Sequence, residues 1–214
     1  RKDGIMQVSK VSQKAFFGKD IIHVAVWKRG DERTVYNCIY LDGATGRSMM
    51  KRFNVPAITR DREYNITKGT PKSRILYFTA NPNGEAEIVT VFLRANARLK
   101  KLKLDVDFSA LAIRGRGAGG NLVSKNAIRK IEMSEEGVST LGARKVWYDE
   151  TVRTLNAEGR GRLLGEFMAD DRIVIFLSSG EYAFTGFDLN TRFDDKMIHL
   201  EKWHPQRPVS VVYY

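Results

Sequence analysis

The sequence predicts an all-β repeat protein, and three observations carry that expectation. Glycines 4, 46, 120 and 180 are each followed by apolar residues, then by a basic or small polar residue five or six places on, and then by Val11, Phe53, Ala127 or Phe187 at the seventh. The apolar runs are short and rich in β-formers, and no long amphipathic helical pattern separates them. The glycines recur at intervals of roughly 40 to 75 residues, a period typical of blades in a closed radial array, because one blade cannot bury its own face and must lean on its neighbours.

In chain order, the runs 21–27, 35–41, 75–79, 88–93, 172–177 and 209–214 read as strands, and a further apolar stretch, 108–113, precedes Gly120. Turn chemistry lies between them at Asp42-Gly43, Asn83-Gly84 and Ser179-Gly180. Asn81-Pro82-Asn83-Gly84 between 74–78 and 87–91 predicts a hairpin, because the paired positive φ values of a tight hairpin turn favour Asn-Gly. An apolar strand precedes Gly46, Gly120 and Gly180, but none precedes Gly4. The final run, 208–214, resembles 34–40, the strand type that Gly4 lacks. Either the two ends complete one blade and close the ring, removing its exposed edges, or the chain is cut mid-repeat and further blades follow. With Arg1 in place of an initiating methionine, residues 1–214 read as a single domain cut from a longer polypeptide.

The chain has 214 residues, 43% of them hydrophobic, which is enough for a real core and excludes a disordered tail. Its charge is lopsided: 36 basic against 25 acidic side chains give +11. The excess is densest between Arg94 and Lys130, whereas residues 135–214 are net acidic. Such a field favours a polyanion as partner, with an ordinary solvated surface as the plainer alternative. Cys38 is the one cysteine, so no internal disulfide forms and a reducing compartment fits best. Neither an apolar stretch of ~20 residues nor a signal peptide is present, so a soluble protein is expected, without membrane association.

The most pointed motif is Ala112-Ile113-Arg114-Gly115-Arg116-Gly117-Ala118-Gly119-Gly120-Asn121, which leads into Leu122-Val123-Ser124-Lys125. It matches the dinucleotide pattern G-x-G-x-x-G, but that pattern has force only between a strand and a helix, and Ile128-Arg129-Lys130-Ile131 follows in a chain of strands. Two readings remain. Gly115, Gly117, Gly119 and Gly120 either serve a structural turn, or they let backbone N–H groups approach phosphate oxygens while Arg114 and Arg116 supply fork-shaped donors. Other basic residues recur at one phase of the glycine repeat: Lys10 and Lys14, then Lys51 and Arg52, then Lys125, Arg129 and Lys130; the fourth unit has Thr185-Gly186 there. One shared phase predicts one basic rim, the expected DNA track. Lys100-Lys101-Leu102-Lys103 fits a solvated connector and a DNA contact equally well. His23, His199 and His204 lack ligand spacing, and turn chemistry accounts for Asp170-Asp171 and Asp194-Asp195, so neither a metal site nor a cofactor is expected. No nucleophile, base and orienting group can be assembled by motif, and no catalytic residue is assigned.

Arg33-Thr-Val-Tyr-Asn37, Asn81-Pro-Asn-Gly-Glu-Ala-Glu87, the segment Ile113 to Asn121 with Val123-Ser-Lys125, and Gly137-Val-Ser-Thr-Leu-Gly142 resemble the C-terminal domain of the DNA-cleaving subunit of type IIA DNA topoisomerases, the β-pinwheel of gyrase and topoisomerase IV. The resemblance covers essentially the whole chain and is greatest to the topoisomerase IV-type subunit of the Bacteroides group. It implies a β-pinwheel of about four blades that binds and bends duplex DNA without catalysing anything itself. It also implies as partners the ATPase subunit, together with the breakage-reunion domain of the same polypeptide, in an A2B2 holoenzyme of the bacterial cytoplasm and nucleoid. Gyrase carries the box Gln-Arg-Arg-Gly-Gly-Lys/Arg-Gly where Ile113 to Gly119 lie here. The spaced arginines and glycines are kept, but the glutamine and the contiguous Arg-Arg-Gly-Gly are absent, which favours a topoisomerase IV role over chiral wrapping. The alternative class is a protein-interaction propeller with a basic surface.

Overall fold

A computed structural model describes residues 1–97, 99–168, 171–189, 191–210 and 212. The chain divides into two compact units, Arg1–Thr140 and Leu141–Tyr214. The first contains β1 (Ile5–Gln7), β2 (Val35–Leu41), β3 (Ser48–Asn54), β4 (Glu63–Asn65), β5 (Arg74–Asn81), β6 (Glu85–Leu93), β7 (Lys103–Asp107), a 3-10 turn (Phe108–Ala110), β8 (Ile113–Gly115), β9 (Asn121–Ser124) and β10 (Ile128–Ser139). The second contains β11 (Arg144–Asp149), β12 (Thr154–Asn156), β13 (Arg162–Phe167), β14 (Ile173–Leu177), β15 (Tyr182–Thr185) and β16 (Met197–Lys202). The all-β expectation holds. Among the described residues, no helix is long and apolar enough to cross a membrane.

One topology is repeated in four sheets. In each, the first strand is central and the later two flank it antiparallel: β3-β2-β5 and β7-β6-β10 in the first unit, β12-β11-β13 and β15-β14-β16 in the second. Four blade-like units of this kind match the number expected from sequence, but their phase differs from the glycine alignment. Gly46 and Gly180 sit in equivalent places, on the connection from a central strand to its first partner. Gly120 instead precedes β9, which pairs with β3 in the same sheet as Gly46, and Gly4 precedes β1, which forms a separate pair with β4. What the four glycines share is backbone conformation, with φ of 85°, 68°, 80° and 85°.

In the first unit β2 is buried on both faces. Ile39 joins Val89, Val91, Leu93, Val106 and Phe108 on one side, while Cys38 and Tyr40 join Phe53, Val55, Ile66 and Ile75 on the other. A strand covered on both faces reads as a continuous apolar run, which is why 35–41 lacks alternation. The second unit has its own core of Val146, Tyr148, Leu155, Phe167, Ile173, Phe187, Phe193 and Leu200.

Four expectations are corrected or fall outside the described residues. The run 21–27 forms no strand; His23 lies against Tyr36 and Phe78, and the Trp27 indole donates to the Val55 carbonyl (2.7 Å), while Val24 and Val26 face solvent. Both edges of β2 are already taken by β3 and β5, so no ladder on that strand is open to the run. Residues 108–113 begin instead as the 3-10 turn, because the Asp107 carboxylate accepts from the Ser109 N–H (2.7 Å) and stops β7. The Asn-Pro-Asn-Gly segment does turn, with the Gly84 N–H donating to Asn81 O (3.1 Å). It makes no hairpin, however, because β5 pairs with β2 while β6 pairs with β7 and β10. The run 209–214 lies partly outside the described residues; 209, 210 and 212 are in no strand.

A buried polar node fixes that corner. Arg52, 2% exposed, donates from Nε to Asn37 Oδ1 (3.0 Å), from Nη1 to Thr140 Oγ1 (2.9 Å) and from Nη2 to Gly84 O (2.8 Å). The Asn37 amide donates in turn to Glu85 O (3.1 Å) and Glu87 Oε2 (2.6 Å). The corner peptide that a hairpin would have placed at a sheet edge is thus held by side chains from β2 and β3.

Two outcomes follow from this packing. Arg52→Ala leaves the Asn37 and Thr140 side-chain oxygens and the Gly84 carbonyl without that donor in a buried site, so chemical denaturation is expected to show a loss of about 3 kcal/mol; a loss within about 0.5 kcal/mol, as for a surface arginine, contradicts the node. A Cβ at Gly120 would lie 2.4 Å from Met50 O at a φ of +80°, whereas one at Gly117 would meet nothing within 4 Å. Gly120→Ala is therefore expected to cost roughly 2 kcal/mol or more and Gly117→Ala to be near neutral in the same assay; equal effects contradict the geometry.

Candidate nucleic-acid interface

The glycine-rich segment is built on the free edge of β3. β8 runs parallel to the end of β3, with Arg52, Phe53 and Asn54 beside Ile113, Arg114 and Gly115, while β9 runs antiparallel to its start, with Met50 beside Asn121. Residues 116–120 cross between these two short strands. Lys51 and Tyr40 share the face of the sheet below them. Lys51, 3% exposed, donates from its ammonium to Arg116 O (2.5 Å) and Ala118 O (3.0 Å), and the Tyr40 hydroxyl donates to Gly119 O. Burial pushes the Lys51 amine down to about 8 and the Tyr40 phenol up to about 12.

These contacts orient the loop. In a trans, planar peptide C=O and N–H point in opposite directions, and no cis peptide occurs here. Carbonyls 116, 118 and 119 turn inward to Lys51 and Tyr40, so the N–H groups of Gly117, Gly119 and Gly120 turn outward, and no acceptor for them is found among the described residues. The segment is closed at its start by the Ala118 N–H donating to Gly115 O (3.0 Å). Only Gly120 of the four loop glycines has a left-handed φ; a Cβ would meet nothing within 4 Å at Gly115 and Gly117 and would make only an ordinary contact with Lys68 (3.5 Å) at Gly119, so neither conformation nor packing within the chain requires glycine at these three. A row of outward N–H groups next to exposed cations is a concavity suited to phosphate oxygens. A strand, not a helix, follows the loop, which removes the dinucleotide reading.

The arginines of the motif have different surroundings. Arg114 is exposed on β8. Arg116 is half-buried, donating from Nη1 to Ala57 O (2.9 Å) and stacking 4.2 Å above the Tyr64 ring, which Arg62 also approaches (5.4 Å). A second aromatic-cation group lies on the exposed face of the β7-β6-β10 sheet. Cross-strand register sets Phe92 between Lys103 and Lys130. Their ammonium groups stand 5.1 and 4.4 Å from the ring centre, with Arg129 at 5.9 Å. Lys130 is also paired with Glu132 (2.6 Å).

The expected single rim is not what forms. Lys51 and Arg52, expected on the DNA track, are buried and satisfied by their own chain; they are structural cations, and the rim loses them. Lys10 and Lys14 are exposed in the strandless stretch after β1, and Lys125 is exposed between β9 and β10. Equal spacing from a glycine does not give equal position, because β3 and β9 are neighbours in one sheet rather than equivalents in two. Arg129 and Lys130 do come together, joined by Phe92 and by Lys103 of the run Lys100-Lys101-Leu102-Lys103, and Arg116 is joined by Arg62 and Tyr64; of these added residues only Lys103 was singled out in the sequence. What joins Lys103 to Lys130 is their cross-strand position on either side of Phe92, readable only once the strand pairing is known.

No curated protein matches the chain. Among solved structures, a crystal structure of the C-terminal domain of DNA topoisomerase IV is similar at 11% identity with a TM-score of 0.35, over 82% of this chain; the chain spans 64% of that chain's length. The family described as topoisomerase C-terminal domain, Bacteroidota, matches residues 1–136 and 154–214, and the chain belongs to that family.

Proposed function

We propose that this domain is a non-catalytic duplex-DNA-binding and bending element of the DNA-cleaving subunit of a type IIA topoisomerase, of the topoisomerase IV type. The observation that carries the reading is the loop 116–120, whose carbonyls are tied inward by Lys51 and Tyr40 so that three N–H groups face solvent beside Arg114. Backbone amides and exposed cations bind phosphate without reading bases, so affinity is independent of sequence and sensitive to salt. The Phe92 group extends the cationic surface, since phosphate oxygens relieve the mutual repulsion of Lys103, Arg129 and Lys130. Discrimination among DNA shapes comes from bending; curving ~30 bp by 40–90° costs on the order of 1–6 kcal/mol, which added phosphate contacts must exceed. In this role the domain presents duplex to the breakage-reunion region of its own polypeptide, within an A2B2 assembly that includes the ATPase subunit in the bacterial cytoplasm and nucleoid. A second reading, a protein-interaction module, is favoured by one observation: Val11, Phe16, Val24 and Val26 are all more than 80% exposed.

Salt-dependent titration of random-sequence duplex separates these readings. Arg114→Ala is expected to leave the fold intact and to flatten the slope of log K against log salt by roughly 0.9, and the combined Lys103, Arg129 and Lys130 alanine variant by up to about 2.7. Supercoiled plasmid incubated with the domain alone is expected to keep its linking number. Unchanged slopes in folded variants, or no binding to duplex at low salt, contradict the proposal and leave the protein-interaction reading.

A further inference from the structure

The second unit is net acidic along its sequence, yet it gathers basic side chains at one place. A depression of about 280 Å³ is lined by Arg162 from β13, by His199, Glu201 and Lys202 from β16, and by His204 and Arg207 from the turn that follows. That turn contains Pro205 and is closed by the Arg207 N–H donating to His204 O (2.9 Å), so both side chains are presented by one corner. Each cation has a partner within the chain. Arg162 donates from Nη2 to Leu200 O (2.8 Å), Lys202 donates to Glu166 O (2.6 Å) and pairs with Asp171 (2.7 Å), and Arg207 pairs with Glu201 (3.3 Å). Glu201 is the one acid lining the depression; Asp149, Glu150, Glu158, Glu181, Asp194 and Asp195 do not line it.

Two guanidinium groups, one ammonium and two imidazoles, set against Glu201, which lies 3.8 Å from His199, and against Asp171 on Lys202, form a donor set with donors to spare, since each guanidinium has five N–H groups. Fork-shaped guanidinium donors match the oxygens of a tetrahedral oxyanion, and a concave site with few acids holds such charge better than a flat surface. We infer that this depression is a phosphate-binding site, separate from the loop of the first unit and not dependent on the reading of that loop. The phosphate is either a diester of a nucleic-acid backbone or a free phosphate group.

The chain has three histidines, so imidazole resonances of the whole domain give a local readout: His199 and His204 line the depression, while His23 lies in the first unit. Titration with inorganic phosphate, against chloride at matched ionic strength, is expected to shift His199 and His204 saturably and to leave His23 unmoved. Arg207→Ala, which alters an exposed side chain, is expected to weaken the phosphate effect about tenfold, the worth of one charged hydrogen-bonded contact. His204→Ala, also outside the core, is expected to weaken the effect on His199. A second titration with a short random-sequence duplex identifies the source: saturable shifts of the same two resonances assign the site to backbone phosphate, and their absence, with inorganic phosphate still bound, assigns it to a free phosphate group. Shifts that never saturate, that chloride reproduces, or that persist unchanged in both folded variants overturn the inference. Because the readout sits in the second unit, it stands or falls separately from duplex binding at Arg114.

Discussion

Two adjacent cations on β3 carry the first unit. Successive residues of a strand face opposite sides, so Lys51 and Arg52 enter different interiors; Lys51 is satisfied by two backbone carbonyls, Arg52 by two side-chain oxygens and the Gly84 carbonyl. Arg52 holds the corner where the chain leaves one sheet for the next; Lys51 holds the loop over the edge of its own sheet. The corner sets the β7-β6-β10 sheet in place, and the loop sets the direction of its own peptides. The cationic groups on the surface inherit their positions from these two buried ones.

Burying charge is costly unless donors find acceptors, and the two residues meet that condition differently. Arg52 uses its planar fork on three partners. Lys51 places a compact ammonium under two carbonyls, and burial lowers its folded pKa from 10.5 to about 8. The unfolded chain then holds that proton more tightly, so the cost of enclosing the ammonium is fully present below pH 8 and is relieved as pH rises toward 10.5. The clamp is therefore under electrostatic tension at neutral pH, offset by the carbonyls it turns inward. Cys38, opposite Lys51 in register, is wholly enclosed and its thiol is pushed up to about 12, so it serves as a small apolar residue.

Strand content was legible in the sequence because apolar runs and turn residues are local signals: Val35–Leu41 forms as read, and Ile173–Leu177 differs by one residue. Pairing was not. Asn83-Gly84 specifies a turn, but whether the flanking strands pair depends on Arg52 and Asn37, distant in sequence. The same limit governed the site. Arg114 was legible as an exposed cation beside glycines, whereas Lys51 and Arg52 looked like surface charge because the acceptors that enclose them come from other strands and loops, among them the carbonyls of Gly84 and Arg116. The basic depression of the second unit was hidden by averaging, since net charge over a segment says nothing about which side chains the fold brings together.

Phosphate binding at the loop depends above all on the outward direction of the Gly117, Gly119 and Gly120 N–H groups. Backbone amide resonances of the nitrogen-15-labelled domain, followed during titration with random-sequence duplex at low salt, test that direction. These three amides are expected to move saturably together with that of Arg114, with the shifts fading as salt is raised. Duplex binding that leaves all three amides unmoved contradicts a phosphate-binding loop.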